Sequence, residues 1–124
     1  MKRPLVVFLS GAGWEARYQA VMLAVTAAAL GDAVTLAVSF EPLVALVGGR
    51  FDDGAPATAA AARVPPLSLT LAEARRELGL RLVACETAVR LAGLAPEAAR
   101  AALDGLEPLP TLWRLAQAGR SLAF

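Results

Sequence analysis

Leu5-Val6-Val7-Phe8-Leu9 is followed directly by Ser10-Gly11-Ala12-Gly13, and this short stretch decides the fold. An unbroken branched apolar run suits a strand buried on both faces, as in a parallel sheet. The glycines after it turn the chain. An Ala-rich helix is then expected from Trp14 to Leu30, with Gly31 as its C-terminal stop. Ala33 to Ser39 reads as a second strand. Strand, Gly turn, helix, Gly stop and strand make a βαβ unit.

The same alternation continues. Glu41 to Val47 predicts a short helix ended by Gly48-Gly49. Leu69 to Leu78 predicts another, with Ser68 or Thr70 as N-cap and Gly79 as stop. Arg81 to Ala84 is the third strand, and Cys85-Glu86-Thr87 lies at its carboxyl end before a helix over Thr87 to Ala92. Pro96 and Pro110 each open a further helix, the favoured first-turn place for proline. Leu106-Glu107 and Arg120 to Phe124 are the last two strands. The expectation is an α/β fold, a single three-layer α/β/α domain with a mainly parallel sheet of about five strands.

Bulk properties narrow the function. The 124 residues, 1–124, give room for one domain. Apolar residues are 57% of the chain, above the roughly 45–50% of ordinary globular chains. That surplus predicts self-association. A net charge of +1 gives no electrostatic case for nucleic acid. Lys2 is the only lysine, and the scattered arginines read as the coding bias of a GC-rich bacterial genome. With no histidine, His-based triads and zinc hydrolase sites are excluded. One cysteine forbids an intramolecular disulfide and predicts a reducing, cytoplasmic setting. Lys2-Arg3 before Leu5 imitates a signal peptide, but the apolar run is short and Trp14, Glu15 and Arg17 follow closely. Gly31-Asp32 interrupts the apolar stretch from Ala20 to Val38, so no membrane span is expected.

Two candidate sites stand out. Cys85 is expected at a strand's carboxyl end, where open α/β sheets bind ligands, and just before a helix whose N–H groups favour a thiolate. Glu86 opposes that charge, while Arg90, about one helical turn on, offsets it. The alternative is a small buried apolar residue, the usual fate of a free cysteine. The second candidate is Gly11-Ala12-Gly13-Trp14-Glu15-Ala16, a G-x-G-x-x-A turn entering a helix. Glu41 follows the second strand, where a ribose-binding carboxylate would be. However, it lies thirty positions after Gly11, against roughly 20 in the dinucleotide fingerprint. Trp14 is also bulky where a pyrophosphate should approach. The simpler reading is a tight turn that needs glycine. Trp14, Tyr18 and Met22 share a helical face that suits core or interface. Asp52-Asp53 is too small a cluster for a metal site. Arg50 to Pro66 predicts a mobile surface excursion at the carboxyl edge, able to act as a lid.

Leu82-Val83-Ala84-Cys85-Glu86-Thr87-Ala88 resembles the DsrE/DsrF-like family, in which a strand ends in Ala-Cys and a helix follows. Ala20 to Val38 is similar to that family's first long Ala-rich helix and second strand. Trp113 to Ala118 and Arg120 to Phe124 are similar to its last helix and terminal strand. The resemblance implies a homotrimer or homohexamer. It further implies, as in TusD-like and DsrE-like sulfur carriers, a persulfide held on Cys85 without metal or organic cofactor, supplied by a donor protein and passed to an acceptor. Residues expected near the thiol are Glu86, Thr87, Arg90, Ser10, Gly11, Gly13 and Trp14. The chain departs from better-known members at Glu86 and over Arg50 to Pro66. Two other readings compete: a non-catalytic oligomeric domain, and a small-ligand or nucleotide-binding module using the Gly11–Gly13 turn.

Overall fold

A computed structural model describes residues 2–124. The elements are β1 (Pro4–Leu9), α1 (Trp14–Ala29), β2 (Ala33–Val38), α2 (Phe40–Val47), α3 (Thr58–Ala61), α4 (Leu67–Glu77), β3 (Arg81–Ala84), α5 (Glu86–Leu91), α6 (Pro96–Ala102), β4 (Gly105–Leu106), α7 (Leu109–Gln117) and β5 (Arg120–Ala123). The five strands form one sheet in the order β4-β3-β2-β1-β5, and every pairing is parallel.

That order explains the layers. The first three crossovers step the sheet in one direction, from β1 to β4. A constant right-handed crossover places all their helices on one face. The last connection returns to the far side of β1, so the same hand puts α7 on the other face. Packing agrees. Leu5, Val7 and Leu9 of β1, Leu36 of β2 and Leu82 of β3 share one core with Ala20 and Val21 of α1, Leu43 of α2, Leu71 of α4, Val89 of α5 and Ala99 of α6. On the opposite face Ala37 and Val83 pack with Leu112 of α7, with Phe8 beside them. The domain is therefore three-layered but lopsided, with one helix against six.

Several expected boundaries move for identifiable reasons. The helix after β3 begins at Glu86, with Cys85 as its N-cap residue. The helix after the central loop begins at Leu67 rather than Leu69. Ser68 does not cap it, because the Asp52 carboxylate accepts both the Ser68 N–H, at 2.9 Å, and the Ser68 hydroxyl. The fourth strand is Gly105–Leu106, one residue earlier than expected, joined to β3 by Asp104 N to Leu82 O and Glu107 N to Ala84 O. Short α3 interrupts the segment expected to be irregular.

Candidate functional site

All strands being parallel, the loops after β1, β2, β3 and β4 open at one edge of the sheet. Three of them build a cleft of about 580 Å³. Ser39 and Phe40 follow β2; Cys85, Glu86 and Thr87 follow β3; Pro108, Leu109 and Pro110 follow β4. Ala88, Arg90 and Leu91 complete it from α5. Ala84 is fully buried, and the next residue, Cys85, is partly exposed, so the thiol emerges where the strand leaves the core.

Partial burial pushes the Cys85 thiol up, but the groups around the sulfur outweigh it and hold the thiol below its ordinary range. They are the backbone N–H groups of Ala88 and Thr87, the Thr87 hydroxyl and the Arg90 guanidinium. Sγ makes no full cap hydrogen bond. The attraction is that of oriented dipoles and one nearby cation for a developing anion. Arg90 also donates to Thr87 Oγ1 at 3.4 Å, which leaves the hydroxyl hydrogen to turn toward sulfur. Glu86 turns to Arg90 across 4.0 Å, and both side chains are well exposed.

The structure thus brings Cys85, Glu86, Thr87 and Arg90 into one cleft and leaves Ser10, Gly11, Gly13 and Trp14 out of it. Trp14 is buried and stacks on Tyr18 with ring centroids 5.0 Å apart. The Gly11–Gly13 turn is engaged within the chain. Ser10 N and Gly11 N donate to Phe124 O at 2.9 and 3.0 Å. Gly13 N donates to Glu41 Oε2 at 2.7 Å, so a carboxylate of the chain itself sits at the start of α1 where a phosphate would. The other Glu41 oxygen accepts from Arg17 Nη1 at 2.7 Å. Glu41 is therefore close to the glycine turn, as its position after β2 suggested, but it is committed to Arg17 and Gly13.

Arg17, only 3% exposed, also donates to Phe51 O at 2.9 Å and to Asp53 O. This pins the central loop against the start of α1, with Phe51 buried beneath it. No residue of that loop lines the Cys85 cleft, so the loop is not its lid. Among the described residues, no three His, Cys, Asp or Glu side chains converge to hold a metal ion. None of their helices is long and apolar enough to cross a membrane.

Sequence reasoning missed the cleft walls from β2 and β4, chiefly Phe40, Leu109 and the flanking prolines. Phe40 has the most unexpected backbone, with φ +56° at the first residue of a helix. A bulky residue in that region costs on the order of 1–3 kcal/mol and persists only where its surroundings fix it. Here Ser39 N is tied to Leu9 O at 3.0 Å on one side, and Glu41 is held by Arg17 and Gly13 on the other.

Fold and site define a class: a parallel α/β domain with a lone, acid-shifted cysteine in a cleft at the carboxyl edge of its sheet. No family model matches the chain, and no curated protein matches it in sequence.

Proposed function

We propose that the protein is a small cytoplasmic thiol carrier that holds sulfur as a persulfide on Cys85. The observation that carries this reading is the placement of the chain's only cysteine in the lining of the cleft, among groups that favour its thiolate. The DsrE/DsrF-like resemblance around Ala84-Cys85 points the same way. The thiolate attacks the outer sulfur of a donor persulfide, R–S–SH. A bond forms between Cys85 Sγ and that sulfur, the donor's S–S bond breaks, and R–S⁻ leaves with the electron pair. Cys85 becomes the oxidised persulfide as the donor's inner sulfur is reduced to thiolate. An acceptor thiolate reverses the exchange. No second cysteine is present in the chain, so the acceptor sulfur comes from another molecule.

The test is incubation with a persulfide donor, then intact mass measurement of wild type and Cys85→Ser. A gain of one sulfur on wild type alone supports the carrier. A folded wild type that gains nothing, with a thiol resistant to alkylation, refutes it.

A second reading, a non-catalytic self-associating domain, is favoured by exposed Trp113, Leu109, Leu91 and Phe40. Self-association into a trimer or hexamer is proposed under either reading. A stable monomer at micromolar concentration in sedimentation would contradict it.

A further inference from the structure

Phe40 combines three features found together nowhere else among the described residues: a left-handed backbone, an exposed aromatic ring and a place in the cleft wall. Arg63 also has positive φ, but it follows the last turn of α3, where that conformation is an ordinary way to end a helix. Phe40 instead begins a helix, and the residue is 59% exposed rather than buried in exchange for the strain. The residues on either side are anchored, Ser39 to Leu9 and Glu41 to Arg17 and Gly13, and Phe40 between them lines Cys85's cleft.

The charge around the cleft is equally particular. Its only ionisable side chains besides Cys85 are Glu86 and Arg90, which are opposite in sign and face each other at the rim. Phe40, Ala88, Leu91, Pro108, Leu109 and Pro110 supply apolar walls. A carboxylate entering there would lose water, find no unopposed cation and meet the Cys85 thiolate. An uncharged apolar group would be accommodated, in a volume that fits a small organic molecule.

We propose that the cleft admits a low-molecular-weight organic persulfide, R–S–SH, whose carbon group R is uncharged and apolar, and that Phe40 is the wall selecting it. This rests on the carrier reading and names its donor class. The sulfur transfer is the one written above, with R–S⁻ as leaving group. Arg17 and Glu41 act as positioning residues through the backbone of Phe40.

Two disulfide probes test this, because they require the same attack by Cys85 with different R groups. One is neutral 4,4′-dithiodipyridine and the other is doubly anionic 5,5′-dithiobis(2-nitrobenzoate). Each rate is divided by that of mercaptoethanol at equal pH. Wild type should favour the neutral probe by about tenfold or more after this correction. Phe40→Gly, and Phe40→Asn as a second variant that tolerates the left-handed backbone, should lose most of that preference while melting no lower than wild type, because strain is relieved. Loss of structure alone would not give lower selectivity together with an equal or higher melting temperature. A reactive thiol whose corrected preference is absent in wild type, or unchanged in both variants, overturns this inference and leaves the carrier reading standing. A thiol inert to both probes overturns the two together.

Discussion

Arg17 and Glu41 meet at 2.7 Å, and the pair joins three parts of the chain that the sheet alone would not hold. Arg17 is on α1, Glu41 on α2, and the backbone oxygens of Phe51 and Asp53 complete the guanidinium's partners. Removing Glu41 leaves a buried cation with two carbonyls and no counter-charge. Glu41→Ala should therefore destabilise by about 3 kcal/mol. Glu41→Gln should cost less, since its one amide oxygen still accepts from Arg17 or from Gly13, although its NH2 then faces the other donor. Urea unfolding of the two variants checks the ranking, and equal midpoints for both and wild type would show the clamp to be idle.

The groups around Cys85 set an order of effects on its titration. The thiolate should dominate at a lower pH than in a free cysteine, so alkylation reaches its plateau earlier. Thr87→Val removes the hydroxyl beside the sulfur, and Arg90→Ala removes an exposed, solvent-screened charge. Both should move the midpoint of the alkylation–pH profile upward, Thr87→Val by more. The reverse ranking would mean that Arg90 outweighs the Thr87 hydroxyl.

Asp104 gives the fold an acid limit. Partial burial raises its carboxyl, but Arg75, the Leu82 N–H and Arg81 together hold it below the usual range. Its oxygens accept from Arg75 Nη2 at 2.9 Å and Leu82 N at 2.8 Å. A carboxylate with a depressed folded pKa adds stability that is fully present above its unfolded pKa, about 4. That stability is lost as pH falls through the lower folded value. Asp104→Ala should cost about 1–3 kcal/mol at neutral pH, because the N–H of buried Leu82 loses its partner. The gap from wild type should narrow in strong acid, and melting temperatures from pH 7 down to pH 2 would show the convergence.

Gly119 stands where α7 turns into β5. A Cβ there would overlap the Pro4 carbonyl oxygen and carbon, both backbone atoms with no room to yield. Gly119→Ala should destabilise by about 2 kcal/mol or more, through displacement of β5 from β1. Hydrogen exchange should then quicken at the β1–β5 pairs, such as Val6 with Ser121, while β2–β3 pairs keep their protection.

The sequence made the elements legible because each has a local cause. Apolar runs mark β1 to β3, glycines stop α1 and α2, and Pro96 starts α6. Cys85 could be placed because an apolar strand ends one residue before it. The cleft was less legible because its walls come from three loops far apart in the chain. Once the sheet is known to be parallel, the residues after each strand, Ser39-Phe40 and Pro108-Leu109, become candidates by position alone. The strained backbone of Phe40 has no sequence signal, since the fixed ends imposing it are tertiary contacts. For the same reason Arg17 looked like one scattered arginine among many. Asp52, read as half of an acidic pair, proved to be a partner of Ser68.

The pairing of β1 with β5 has a consequence for how the molecule comes into being. Leu5 pairs with Arg120 and Phe8 with Ala123, so the first strand made waits for the last before its outer edge is closed. Until β5 is made one side of an apolar ribbon stays open, and α7, the only helix on that face among the described residues, also arrives late. Such an edge recruits other strands, and long-range parallel pairing is slow to form. The nascent chain is thus most vulnerable to aggregation until β5 has been made. Ribosome-bound chains arrested before Arg120 should bind chaperones that those carrying all of β5 release.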